Sequence, residues 1–220
     1  QPFAPEAIYR EYKTGVDALN FQYYLGPLSE IDLISVAGYD SNGDLDWDES
    51  ATIIRSVFSA GNYEWTIMGG KLPWRWIAAG AFQGEVSGLG VRAEFNVNFP
   101  EEGWKDAFGA LEDDTYFQVA GGIDYRCENS LHFFVEYLYR DHGYEVYMDY
   151  LYSLMRAENI RESYSGKNYL SIAAAYQWHP LVTSQVFGIG NLDDQSVLFS
   201  GTVNCSLADE ADLVLGGYYT

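Results

Sequence analysis

Ten consecutive residues, Leu89 to Asn98, alternate apolar and polar without a break, and no other feature of the chain restricts its fold as much. Leu89, Val91, Ala93, Phe95 and Val97 take one parity; Gly90, Arg92, Glu94, Asn96 and Asn98 take the other. Side chains two apart share a face in an extended strand, so this segment has one apolar and one charged face. Similar segments recur along the sequence. Repeated alternation of this length, broken by turns, is what a transmembrane β-barrel imposes, because each strand meets lipid on one side and lumen on the other.

No stretch approaches the roughly 18 apolar residues of a membrane-spanning helix. A barrel escapes that criterion, since half of each strand is polar. Aromatic residues make up 17% of the chain and tyrosine leads with 19. Amphipathic rings collect where an apolar surface meets water, as in the girdles of outer-membrane barrels, although tyrosine-rich soluble β proteins share the feature. The formal charge of −20 makes nucleic acid a poor partner, because phosphate binding needs a cationic face.

The alternation and the turn residues predict about twelve strands in six hairpins. They run over 16–26 and 30–39, 51–60 and 63–72, 74–83 and 89–98, 115–126 and 130–140, 169–178 and 181–190, and 195–205 and 211–219. Within hairpins the connections are short. Between them, the stretches 40–50, 100–114, 141–168 and 191–194 hold eighteen of the 32 acidic residues. Barrels of this class have short periplasmic turns and longer extracellular loops, so the acidic stretches are placed outside. With that polarity the first strand starts outside and the last ends there. A complete bacterial barrel has both termini in the periplasm, so the expectation is part of a larger barrel, unless the polarity or the strand count is wrong. Gly143–Asn159 breaks the strand pattern. Tyr147, Tyr150, Leu151 and Leu154 fall at helical spacing, which predicts one short helix in a long extracellular loop.

The stretch Gly15-Val16-Asp17-Ala18-Leu19, followed by Tyr23-Tyr24-Leu25-Gly26-Pro27-Leu28-Ser29, resembles a hairpin of large porin-like outer-membrane proteins of Gram-negative bacteria. Tyr169–Trp178 and the last hairpin around Asp209 and Glu210 are similar in style. The resemblance spans most of the chain through hairpin texture and carries no catalytic motif. It implies a bacterial outer-membrane location and a barrel fold, with lipid and lipopolysaccharide as surroundings.

Parity assigns the lumen lining. Arg92, Glu94 and Asn96 are followed by Gln118, Asp124 and Arg126, then Glu136 and Arg140, then Gln177, and finally Ser200, Thr202 and Asn204. Mixed charges on such a wall can tune which solutes pass, or fill a closed interior as a satisfied network. The opposite parity assigns Leu89, Val91, Phe95, Phe133, Val135, Ile172 and Ala174 to lipid.

In the loop Asp40-Ser41-Asn42-Gly43-Asp44-Leu45-Asp46-Trp47-Asp48, oxygen ligands stand at every second position, a spacing that Ca²⁺ can use. The candidate ligands are Asp40, Asn42, Asp44, Asp46 and Asp48. The loop departs from an EF-hand, with Leu45 where glycine and Ala51 where glutamate are required. A solvated acidic loop facing lipopolysaccharide cations is the plainer expectation.

His132, His142 and His179 are scattered, and no nucleophile–base spacing indicates an enzyme. Cys127 and Cys205 are placed at the fourth and sixth hairpin turns, too many strand steps apart for a disulfide. Two functions remain. One is an outer-membrane porin-like barrel, forming a channel or a scaffold around another envelope protein inside or beside it. The other is a secreted soluble all-β binding protein holding a ligand in a tyrosine-rich site. They differ in which face points inward: apolar for the soluble protein, charged for the membrane barrel.

Overall fold

The computed structural model describes residues 16–101, 115–141, 166–208 and 211–220. Every regular element among them is a strand. The strands are β1 (Ala18–Gly26), β2 (Ser29–Tyr39), β3 (Leu45–Ala60), β4 (Tyr63–Leu72), β5 (Arg75–Val86), β6 (Leu89–Pro100), β7 (Tyr116–Arg126), β8 (His132–Arg140), β9 (Asn168–His179), β10 (Val182–Asn191), β11 (Val197–Ala208) and β12 (Ala211–Tyr219). They form one 12-stranded antiparallel sheet in simple sequence order. The helix expected over Gly143–Asn159 lies outside the described residues, as do most of the two longest acidic loops and the turn residues Asp209 and Glu210.

Most strand ends fall within a few residues of their expected positions, and two departures have local causes. Strand β5 runs on to Val86, because Ser87 and Gly88 alone make the reversal. Their φ values of 53° and 83° are the paired left-handed conformations of a type I′ turn, whose twist matches that of the flanking strands. Strand β3 begins at Leu45, six residues early. Its register with β2 slips between Val36, opposite Ala51, and Gly38, opposite Asp46. The excess residues, Trp47 to Ser50, bulge outward. A side chain at Gly38 would sit 2.1 Å from the Glu49 carbonyl, so only glycine lets the bulge close against β2.

The registers define the two faces across the whole sheet. One face carries Leu19, Leu33, Ile54, Ile67, Ala78, Phe95, Val119, Val135, Ile172, Val186, Val203 and Leu215, one residue from each strand in turn. Within the paired strands, Lys71 is its single charged residue. Rings cluster toward both strand ends: Trp65 on Phe82 at 5.3 Å and Tyr125 on Phe133 at 5.8 Å near the short turns, Phe117 on Tyr139 at 5.7 Å near the long loops. Aliphatic and small residues fill the middle. Glycines there are covered by rings; Phe95 lies over Gly80 and Phe199 over Gly188.

No second layer covers this face among the described residues. Phe95 is 50% exposed, Ile67 56% and Ile172 48%. Burial is concentrated on the polar face instead. Ala79, Tyr116, Ala120, Tyr169, Asp32, Asn98, Arg140 and Asn191 are buried and all belong to it. Among the described residues the sheet does not close. Strands β1 and β12 make no contact with each other, and each leaves one edge unpaired.

Candidate functional site

The polar face is the candidate site, and the registers bring all the expected lining residues onto it: Arg92, Glu94, Asn96, Gln118, Asp124, Arg126, Glu136, Arg140, Gln177, Ser200, Thr202 and Asn204. The seven residues expected to meet lipid all lie on the apolar face.

A charged cluster spans β6, β7 and β8. The Arg92 guanidinium donates to the Asp124 carboxylate at 3.0 Å, and His132 Nε2 lies 3.3 Å from the other Asp124 oxygen. The same guanidinium stacks 4.6 Å from the centre of the Phe134 ring. This lateral reach is possible because the neighbour of Arg92 on β7 is Gly122, whose missing side chain leaves room for the arginine stem. Sequence parity placed Arg92 and Asp124 on one face, but His132 and Phe134 join them only through the β7–β8 register.

Further along, Arg55 on β3 reaches Asp32 at 3.2 Å and Glu30 at 3.5 Å, both on β2. Neither pair follows from alternation within one strand, and sequence reasoning missed them. Toward the long-loop ends of β6 and β7, Asn98 donates to Asn96 at 2.8 Å, and Asn96 lies 3.5 Å from Gln118. Glu94 and Glu136 make no side-chain hydrogen bond or ion pair among the described residues. They line one depression with Glu64, Thr66, Gln83 and Arg92. The wall thus combines neutralised pairs with carboxylates that have no cationic partner among the described residues.

In the acidic loop, Asp40 and Asp46 accept hydrogen bonds from the loop's own backbone. The Asp40 carboxylate accepts hydrogen bonds from the backbone N–H groups of Asn42 and Asp44, each at 2.9 Å, and closes a tight turn around Gly43. Asp46 caps the Asp48 N–H in the same way. Among the described residues, no three acidic, histidine or cysteine side chains converge as metal ligands.

The backbone N–H of Asp44, with further help from Asn42 and Gly43, holds the Asp40 carboxyl below its ordinary pKa. A depressed folded pKa stabilises the turn above the ordinary carboxylate range, and that contribution fades as pH falls through the folded value. We expect the protection of the Asn42 and Asp44 amides, taken relative to their intrinsic exchange rates, to fall in acid in the native protein. In Asp40→Ala that protection should be low at every pH, and amide exchange followed by NMR checks this. Unchanged protection in Asp40→Ala would remove the capping role.

Nothing in residue spacing singles out Lys71. It falls on the apolar face, opposite Trp76 and Thr52, yet is 2% exposed. The β3 bulge covers it: its Nζ donates to the carbonyls of Trp47 at 2.9 Å and Asp48 at 3.3 Å, and lies 5.3 Å from the Trp47 ring centre. Glu101 stands 4.0 Å away. Trp74 completes the rim, donating its N–H to the Asp48 carbonyl and its indole N–H to Glu49 at 3.0 Å.

Both cysteines are free thiols. Cys127 opens the β7–β8 turn as expected. Cys205 lies within β11, opposite Val182 and Leu213, because β11 continues three residues beyond its expected end. No family model matches the chain, and no curated protein is significantly similar to it.

Proposed function

We propose that this chain forms part of a porin-like β-barrel of the bacterial outer membrane, with the polar face lining the lumen and lipid against the apolar face. The barrel acts as a channel or as a scaffold around another envelope component. One observation carries this reading. Within the paired segments of all twelve strands the charges keep to one face, while the other is apolar, exposed and flanked by rings; the lone exception, Lys71, is sealed under a bulge. A water-soluble protein rarely exposes a contiguous apolar patch beyond a few hundred Å². A soluble binding protein would turn this face inward, whereas here burial accumulates on the polar side. Unpaired strand edges are not tolerated in hydrocarbon. The reading therefore requires further strands between β12 and β1, in a barrel of more than twelve. The native protein should remain in the membrane pellet after alkaline extraction and need detergent to stay in solution. Recovery as a detergent-free soluble monomer would exclude the proposal.

If the lumen conducts, its selectivity follows from the charge map. On the described strands the wall sets Glu30, Asp32, Glu64, Glu85, Glu94, Asp124, Glu136 and Asp212 against Arg55, Arg75, Arg92, Arg126 and Arg140, a small acidic excess. The acidic external loops add to it, and their field is screened beyond about 8 Å at physiological ionic strength. We expect weak cation preference that fades as salt rises. Neutralising Asp44, Asp46 and Asp48 together should reduce it without altering conductance at high salt. Reversal potentials in planar bilayers measure both, and anion preference at low salt would contradict the charge map.

A further inference from the structure

Asn42-Gly43 is the single Asn-Gly pair in the chain, and both residues are exposed in the turn between β2 and β3. An asparagine followed by glycine is the pair most prone to lose its side-chain amide. The Gly43 backbone nitrogen attacks Asn42 Cγ, a new N–Cγ bond closes a five-membered imide, and the Cγ–Nδ2 bond breaks. Ammonia leaves with the Gly43 amide proton. Water then opens the imide at either carbonyl, which yields aspartate or isoaspartate. Glycine favours the attack because no side chain shields its nitrogen. Among the described residues, no atom beyond its chain neighbours lies within 4 Å of where a Gly43 side chain would stand.

The turn engages each group that this reaction needs. The Gly43 N–H donates to the Asp40 carbonyl at 3.0 Å, which keeps its proton on the attacking nitrogen. The leaving group, Asn42 Nδ2, donates to Asp40 Oδ2 at 3.1 Å. The other oxygen of that carboxylate takes the Asn42 and Asp44 N–H groups, each at 2.9 Å. The Asp40 N–H donates to the Asp44 carbonyl at 2.8 Å and closes the loop. Every one of these bonds has Asp40 as a partner, so the pair is reactive by sequence and restrained by one residue.

We propose that Asn42 is a deamidation site which the folded turn holds closed through Asp40. This holds whether or not the lumen conducts. Aspartate at position 42 would replace a donor to Asp40 with a second carboxylate, and like charges so close repel. Isoaspartate would add a methylene to the main chain inside the segment that Asp40 bridges. Either product undoes the turn that protected its parent. The change therefore runs one way and adds negative charge to the acidic loop.

The test incubates the full-length protein in detergent at mildly alkaline pH. Mass spectrometry of its peptides follows conversion at Asn42, and isoaspartyl methyltransferase labelling identifies the isoaspartate. Asn129-Ser130, in the β7–β8 turn at the opposite end of the sheet, is the internal reference. A synthetic peptide of residues 38–48 gives the rate without the fold. Asn42 should convert more slowly in the protein than in the peptide. Asp40→Ala removes three side-chain bonds and should speed conversion on the order of tenfold, because opening of the turn limits the rate, while Asn129 keeps its wild-type rate. Conversion of the native protein at the peptide rate overturns the proposal, as does an Asp40→Ala rate equal to wild type. Acceleration at both Asn42 and Asn129 would report general unfolding, and Asp40→Asn, which keeps an acceptor oxygen, then decides. An intermediate rate at Asn42 with Asn129 unchanged supports the restraint; any other result overturns it.

Discussion

Replacing Ile172 with arginine should destabilise the membrane-inserted protein by about 2 to 4 kcal/mol, whereas the same arginine one residue earlier, at Ser171, should cost roughly nothing. The two positions share a depth in β9 and differ only in parity. Ile172 is opposite Val135 and Gly188 on the apolar face; Ser171 is opposite Glu136 on the polar face. An arginine at 172 would carry its charge into hydrocarbon. At 171 it gains the Glu136 carboxylate as a partner. Folding into liposomes across a denaturant series measures both. Equal tolerance at the two sites would remove the membrane reading altogether, since no soluble arrangement with this face exposed predicts so large a difference.

The second large effect concerns the outer rim. Lys71→Met keeps most of the apolar stem but removes the ammonium that serves the Trp47 and Asp48 carbonyls. The Trp47 carbonyl, left without a donor, costs about 1 to 3 kcal/mol, while the Asp48 carbonyl keeps the Trp74 N–H, so a loss of about 2 kcal/mol is expected. The damage should be local first. The Trp74 N–H, which donates to the Asp48 carbonyl, should lose protection from exchange before the sheet unfolds. Lys71→Arg should recover part of the effect, because a guanidinium still donates. A methionine variant with wild-type stability and full Trp74 protection would show that the bulge holds itself.

How much of this was legible beforehand depended on the range of the interaction. Period-two alternation is a local property of the chain, so it revealed the strands, their order in hairpins and the parity of Arg92, Glu94, Phe133 or Ile172 directly from residue spacing. The turns were legible where glycine or proline marks them, as at Gly61-Asn62 and Pro73. They were less so at Ser87, which adopts a left-handed conformation that its side chain does not advertise. The early start of β3 was hidden for a related reason. Acidic residues from Asp44 to Glu49 read as loop by composition, and only the closeness permitted by Gly38 lets Leu45 and Asp46 pair with β2 beyond the bulge.

The sequence by itself determined the fold class and the assignment of side chains to two opposed faces, because parity along each strand needs no knowledge of its neighbours. Tertiary structure decided which residues meet. Asp124 receives both Arg92 and His132, because register between strands is a relation that neither strand encodes alone. It also decided that the Asp40 carboxylate closes a turn, and that a lysine of apolar parity lies sealed beneath a bulge. In each case the controlling contact joins residues distant in sequence, and its geometry exists only once the sheet has formed.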